Sequence, residues 1–353
     1  MALSKILPAS QEQFAGARNL IINGAMQVAA RGTSVTGLTS SSTYHTVDRW
    51  QFNMGSIGTF SISQSTTAPS GFSNSLKLSC TTANASPAAG AYLQLIHKIE
   101  GQNLQHLKKG ASDAESVTLS FFCRCSKTGD FVIELRDGAN SRHIGSLVTI
   151  SSADTWEYKT ITFAGDTTGT LANDNTTGFE LDVWLSAGTD FTSGTLPASW
   201  ASSTNANRAV GVFNLAASTD DFYITGVQLE VGETATPFEH RSYGDELARC
   251  QRYYYQTKDN QDSVHLQRSY NNLNYYYGQL DYPVTMRSQP TLTFQNASAN
   301  ILLPSIHTTS CSWYAFNRTT HSVIIEAQPG SDAGAYTYTA ICVSNSVRLD
   351  AEL

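Results

Sequence analysis

Short runs that alternate apolar and polar residues, each closed by a turn cluster, recur along almost all of this chain. That period of two dictates β-structure. In residues 116–125, Val117, Leu119 and Phe121 face one way, and Thr118, Ser120 and Phe122 the other. In residues 222–230 the apolar set is Phe222, Ile224, Val227 and Leu229, and the phase slip at Gly226 predicts a β-bulge. Further strands are predicted over 20–29, 47–53, 59–64, 75–81, 91–99, 131–137, 145–150, 156–163, 178–185 and 209–213. Between them lie turn formers such as Thr-Gly-Asp at 128–130, Asp-Gly at 137–138 and Gly-Asp at 165–166. About a dozen short strands at this spacing predict an all-β fold, a sandwich of jelly-roll type.

Helical periodicity is confined to two places. Residues 101–107 suggest one turn. Residues 242–254, SYGDELARCQRYY, carry Ser242 as a cap, Asp245 and Glu246 in the first turn, and Arg249 and Arg252 near the end, as the helix dipole favours. Leu247, Cys250 and Tyr254 share a face of that helix. Upstream, Thr236-Pro237 ends the last strand, because proline donates nothing to a ladder. With 353 residues the chain suits two domains. The expected division is an arm over 1–18, a jelly-roll domain over 19–241, a linking helix over 242–254, and a smaller β-rich domain over 255–353. In the last, strands are expected over 273–278, 290–295, 322–327, 335–343 and 347–353.

Charge narrows the functional classes. Only 14% of residues are charged and the formal net charge is −7, so phosphate-backbone binding by counterion release has no basic surface to carry it. Lys108-Lys109 is an adjacent basic pair without a basic stripe around it. No apolar run reaches 18 residues, and residues 1–18 lack the apolar core of a secretory signal. Neither membrane insertion nor secretion is expected. Cys80, Cys123, Cys125, Cys250, Cys311 and Cys342 follow no disulfide or zinc spacing, so they read as small apolar residues, and no cofactor or metal is expected.

Several segments together resemble the virion proteins of tailed bacteriophages, in particular tail fibres and particle appendages. They are NLIINGAMQVAAR at 19–31 followed by Asp48-Arg49-Trp50; Ile99-Glu100-Gly101 and VTLSFF at 117–122; GVQLEVGETATPFEHR at 226–241 with ELARCQRYY at 246–254; YPVTMRSQPTLT at 282–293; and LDAEL at 349–353. The resemblance implies a jelly roll similar to carbohydrate-binding modules, with the first strand beside the VQLEV strand. It implies a place in the virion, assembled in the host bacterial cytoplasm, and docking to other phage structural proteins through residues 1–18. With the tyrosine-rich C-terminal region it leads to the expectation of a homotrimer. The leading function is a tail fibre or fibre-like appendage that contacts a host surface glycan. A capsid decoration or tail adaptor without a receptor is the alternative, and a glycan-degrading tailspike the weaker one.

No catalytic residues are expected. Glu180 and Asp182 share a strand face and Asp220-Asp221 are adjacent, but such carboxylates are ordinarily a solvated face. No GxSxG, HExxH or phosphate-loop motif occurs. Asn173-Asp174-Asn175 is read as a turn rather than a calcium loop. Trp50, Trp156 and Trp184 are expected in the core. Ligand-binding candidates are aromatic, since flat rings stack on sugars. Trp200, in the polar loop 187–208, is either a loop anchor or a binding platform. Tyr275, Tyr277 and Trp313 stand in a tyrosine-dense stretch suited to a subunit interface or a receptor.

Overall fold

A computed structural model describes residues 18–257, 265–268, 275–294, 301–303, 306–308, 311–329, 340–342 and 347–353. The arm expected over residues 1–18 lies, but for Arg18, outside the described residues, as do residues 335–339 and 343 of the strand expected over 335–343, residues 273–274 of that over 273–278 and residue 295 of that over 290–295. The chain divides into two compact units, Met1–Ser242 and Tyr243–Leu353.

The first unit is a jelly-roll-like sandwich of antiparallel strands. In chain order they are β1 (Ser34–Tyr44), β2 (Gln51–Ser65), β3 (Ser75–Thr82), β4 (Tyr92–Glu100), β5 (Val117–Cys125), β6 (Gly129–Asp137), β7 (Arg142–Ile150), β8 (Glu157–Phe163), β9 (Thr177–Ala187), β10 (Ala201–Ser202) and β11 (Asp221–Val231). The strand order is β10-β7-β6-β9-β4-β2-β3-β11-β5-β8, with β1 along β2. The long β2 changes sheets half-way. Gln51 to Gly55 pair with β4, and Thr59 to Ser65 pair with β3. Between them Ser56 and Gly58 take positive φ and turn the corner, as strands that switch sheets must. The result is a first sheet β10-β7-β6-β9-β4-β2 facing a second sheet β2-β3-β11-β5-β8.

Alternation decides what lies between them. Phe131 of the first sheet is 6.2 Å from Phe121 and 5.4 Å from Phe222 of the second, and all three are fully buried. Each such ring contributes about 1.5–3 kcal/mol by leaving water. Cys80, Cys123 and Cys125 are free thiols packed in this core, and Cys250, in no disulfide, is buried in the second unit. Burial pushes Cys123 up to about 12 and Cys125 to about 11, so neither is a ready nucleophile.

The bulge expected at Gly226 is present. The pairing of β11 with β5 shifts register between Thr225 and Gln228, and Gly226 has φ +62°. A Cβ there would sit 2.7 Å from Phe72 Cζ, so glycine also admits the Phe72 ring. Phe72 in turn packs on Phe122 and Phe238, tying the chain after Pro237 to the second sheet.

Three expectations are corrected. Residues 20–29 do not form a strand, because Asn23 and Met26 adopt left-handed φ and fold the segment into turns. The segment still lies beside β11, through Leu20 N–H to Leu229 O (2.9 Å) and Val227 N–H to Gly24 O (3.0 Å). Residues 47–53 and 59–64 belong to one stretch, with the strand proper beginning at Gln51. Residues 209–213 are a turn. The polar strand β1 was not anticipated.

In the second unit a helix over Tyr243–Gln251 has Asp245 and Glu246 in its first turn and Arg249 in its last. It buries Glu246 and Cys250, whereas Leu247 is half-buried. The strands are β12 (Tyr254–Gln256), β13 (His265–Arg268), β14 (Tyr276–Asp281), β15 (Thr291–Phe294), β16 (Ile301–Leu303), β17 (Ile306–Thr308), β18 (Cys311–Phe316), β19 (Ser322–Pro329), β20 (Ala340–Cys342) and β21 (Val347–Asp350). They form a sheet β12-β21-β15 and a sheet β17-β16-β20-β13-β14-β19-β18. Tyr276, Leu280, Val323, Ile325 and Leu349 are among its core residues.

Candidate ligand-binding face

The outer face of the first sheet is unusual because polar side chains are buried there in rows. Residues that alternate with the core-facing set point outward: Gln51 and Asn53 of β2, Gln94 and Lys98 of β4, Glu180, Asp182 and Trp184 of β9, Glu134 and Arg136 of β6. The register aligns them across the strands as Asn53–Gln94–Trp184 and as Lys98–Glu180–Arg136.

One end of this face is covered by the connection after β9. Phe191 packs on Tyr92 and Trp184, and Leu196 lies over Gly145, where a Cβ would meet Leu196 Cδ1 at 2.5 Å. Arg208 reaches under this cover. It donates to Glu134 (Nε to Oε1, 3.0 Å) and to Asp182 (2.8 Å), while Glu134 also accepts from His143 Nδ1 (2.7 Å) and Trp184 Nε1 (2.9 Å). Burial pushes the Glu134 carboxyl up, but the His143 hydrogen bond and the Arg208 charge outweigh it and hold it at about 2. Burial and the adjacent Glu134 charge push Asp182 well above the usual carboxylate range. Two carboxyls driven apart in this way are an acid–base pattern, yet both are fully buried beneath Arg208, out of a polysaccharide's reach.

Toward β2 the face continues from Tyr92 to Gly55 and Asn53. Tyr92, half-buried, leans across Gly55: a Cβ there would lie 2.9 Å from Tyr92 Cε1 and 3.1 Å from its Cζ. Beside it Asn53 Nδ2 donates to Gln94 Oε1 (2.6 Å). Below, Gln94 Nε2 and Gln51 Oε1 are buried without any hydrogen-bond partner. Lys98, Glu180 and Arg136, all half-buried, close the row, with Arg136 2.7 Å from Glu180. An aromatic ring next to amide donors and acceptors with unused capacity can hold hydroxyl-bearing rings.

The sequence candidates fall elsewhere. Trp200 stacks on Phe179 (5.5 Å, 27°) and donates Nε1–H to Ala164 O (2.7 Å), which is the geometry of a loop anchor. Tyr275 and Tyr277 stack on each other (6.4 Å, 12°), and Tyr277 is 38% exposed. Trp313, one strand position out of phase with the exposed Tyr314, packs inward on Phe294 (5.7 Å). Trp200 belongs to the first unit and the other three to the second. Trp50 and Trp184 are buried, Trp184 on the outer face rather than between the sheets; Trp156 is half-buried against Tyr223. Glu180 is ion-paired to Arg136, and Asp221 to Lys77 (2.9 Å). Asp220 accepts from Ser126 and Ser218. Asp174 accepts from Thr176 N–H and hydroxyl, a local turn. Among the described residues no group of three or more His, Cys, Asp or Glu side chains is placed to hold a metal.

No family model matches the chain, and no curated protein matches it. Among solved structures, 61% of the chain aligns with 22% of the enzymatically active domain of bacteriophage CBA120 tailspike protein 4, at 12% identity and a TM-score of 0.28. It also aligns over 61% of its length with all of TmCBM61 in complex with beta-1,4-galactotriose (10% identity, TM-score 0.31). A third likeness, over 59% of the chain and 99% of the other, is to the family 11 carbohydrate-binding module from Clostridium thermocellum in complex with a beta-1,3-1,4-mixed-linked tetrasaccharide (12% identity, TM-score 0.29).

Proposed function

We propose that this protein is a structural part of a tailed-phage particle, a tail fibre or fibre-like appendage, which holds a host surface glycan on the outer face of its first sheet without cleaving it. The observation that carries the binding reading is the pairing of Tyr92, leaning over Gly55, with Asn53, Gln94 and Gln51, whose amides keep unused hydrogen-bonding capacity. Buried polar atoms are ordinarily satisfied, so orphans gathered on one face suit a hydroxyl-rich ligand. The particle reading rests on the sequence resemblance. Its motifs meet in space: Asn19 N–H donates to Glu239, Arg241 donates to Ile21 O, and Arg31 pairs with Asp48. In this reading residues 1–18 join the protein to other particle proteins.

The test is an array of bacterial surface polysaccharides probed with the whole chain, followed by a reducing-end assay on every hit. Retained binding with no new reducing ends is expected. An array without hits favours a decoration or adaptor role, and released ends favour a tailspike; either result overturns the proposal.

A further inference from the structure

The two buried glutamines on the outer face of the first sheet offer opposite things to a ligand. Asn53 Nδ2 donates to Gln94 Oε1 at 2.6 Å, which leaves Nε2, the donor end of the Gln94 amide, on the side away from Asn53. That Nε2 is buried and has no partner. In Gln51 the ends are exchanged. Its Nε2 lies 3.4 Å from Ser42 Oγ, and Oε1, the acceptor end, is the atom buried without a partner. Gln94 is 4% exposed and Gln51 9%, so both orphan atoms are cut off from bulk water, where polar groups ordinarily find a partner in the fold. Asn53 and Tyr92, next to them on the same face, are half-buried.

The register sets an apolar group between the two amides. Gln51 stands directly opposite Ile96, and Gln94 precedes Ile96 by two positions on β4, so all three share the outer face. Ile96 is 7% exposed and turned away from the core between the sheets, an apolar side chain in a polar run with Gln94 before it and Lys98 after. Asp182, on the other flank of Ile96, lies under Arg208, which holds its Oδ2; its Oδ1 is unpartnered too.

One donor, one acceptor and one apolar side chain, side by side, match the three parts of an acetamido group. Its carbonyl oxygen accepts from Gln94 Nε2, its N–H donates to Gln51 Oε1, and its methyl lies on Ile96. A hydroxyl meets the two polar atoms but has nothing apolar to set against the isoleucine. A carboxylate has no N–H for Gln51, and an ammonium has no acceptor for Gln94. On the reading that this face holds a glycan, we propose that the glycan carries N-acetylated amino sugars, and that Gln51, Gln94 and Ile96 select the acetamido group while Tyr92 stacks on the sugar ring.

The experiment presents the full chain to the bacterial polysaccharide array in matched sets: each polymer as isolated, after de-N-acetylation, and after the freed amines are re-acylated with acetyl or with formyl groups. Binding should be confined to polymers with acetamido sugars, vanish on de-N-acetylation and return on re-acetylation. The formyl form lacks one methyl and should bind about fourfold more weakly. A variant adds a second reading. Gln51→Met replaces an unpartnered amide with an apolar side chain of similar length, so thermal unfolding should remain cooperative. Its affinity for the re-acetylated polymer should fall about five- to hundredfold, because the ligand N–H loses its acceptor. Binding to polymers without amino sugars, or binding that survives de-N-acetylation, would overturn the acetamido assignment and leave the glycan reading standing. So would a folded Gln51→Met with unchanged affinity. An array without any hit would overturn both. The polymer comparison uses the unmodified chain and decides the matter whatever the variant does.

Discussion

Arg208 lies across the indole of Trp184, its guanidinium carbon 4.9 Å from the ring centroid, and both side chains donate to the same carboxylate, Glu134. This clamp holds the connection after β9 against the first sheet, where Phe191 packs on Tyr92. Replacing Glu134 with alanine leaves the Arg208 guanidinium with Asp182 alone and strands a buried indole N–H and a histidine. Losing one partner of a buried pair costs about 3–5 kcal/mol, so the urea midpoint of the variant should fall by a corresponding amount. A midpoint within error of the unmodified protein would contradict the clamp.

The same site sets a pH dependence. The Glu134 carboxyl is held at about 2 in the folded state, below the roughly 4.3 of an unfolded glutamate. Its stabilisation is therefore complete above that unfolded value and lost as pH falls through about 2. Asp182 works in the opposite sense: its raised pKa stabilises the fold at low pH, and that contribution is lost as pH rises through the folded value. Unfolding free energies measured from pH 6 down to pH 2 should decline, and Glu134→Gln should flatten the decline. An unchanged slope in the variant would assign acid sensitivity to other groups.

Asn19 carries the joint between the N-terminal segment and β11. Its side chain accepts from Ile21 N–H (2.9 Å) and Leu229 N–H (3.1 Å) and donates to Val227 O (3.0 Å), all buried. Asn19→Ala leaves these groups unpaired and should destabilise the first unit by about 2–4 kcal/mol. Thermal unfolding reads this directly, and a shift of under a degree would sink the assignment.

Tyr92 and Trp200 separate binding from anchoring. Tyr92→Ala should weaken the glycan affinity of folded molecules by about 1–3 kcal/mol, by analogy with stacking on nucleic-acid bases. Trp200→Ala should do the reverse, costing about 2 kcal/mol of stability, less than the ~3–5 of a fully buried aromatic, and leaving the affinity of folded molecules unchanged. Calorimetry on both variants distinguishes the roles, and an exchange of the two effects would restore Trp200 as the platform.

Much of the sandwich was legible because β5, β6, β9 and β11 alternate with apolar residues on the core face, and Gly226 marks its bulge by breaking that phase. The strand β1 was not, since SVTGLTSSSTY is mostly exposed and its apolar members, Val35, Leu38 and Tyr44, are too widely spaced to alternate. Residues 20–29 misled for the opposite reason: Ile21, Met26 and Val28 are buried as a plug rather than as a strand. The site was harder still. Gln51, Asn53 and Gln94 are uncharged amides with no diagnostic spacing, and only their positions between Phe52, Met54, Leu93 and Leu95 hinted that polar groups were being buried on a sheet face.

The central claim is that a sugar sits against Tyr92, Asn53 and Gln94, and side-chain amide resonances report it most directly. A ¹⁵N-labelled sample titrated with an oligosaccharide from the array should show saturable shifts in the side-chain amide signals of Gln51, Asn53 and Gln94, with those of Gln279 and Gln328 in the second unit unmoved. Saturable shifts confined to the second unit, or an array hit that leaves the three amides in place, would contradict the account.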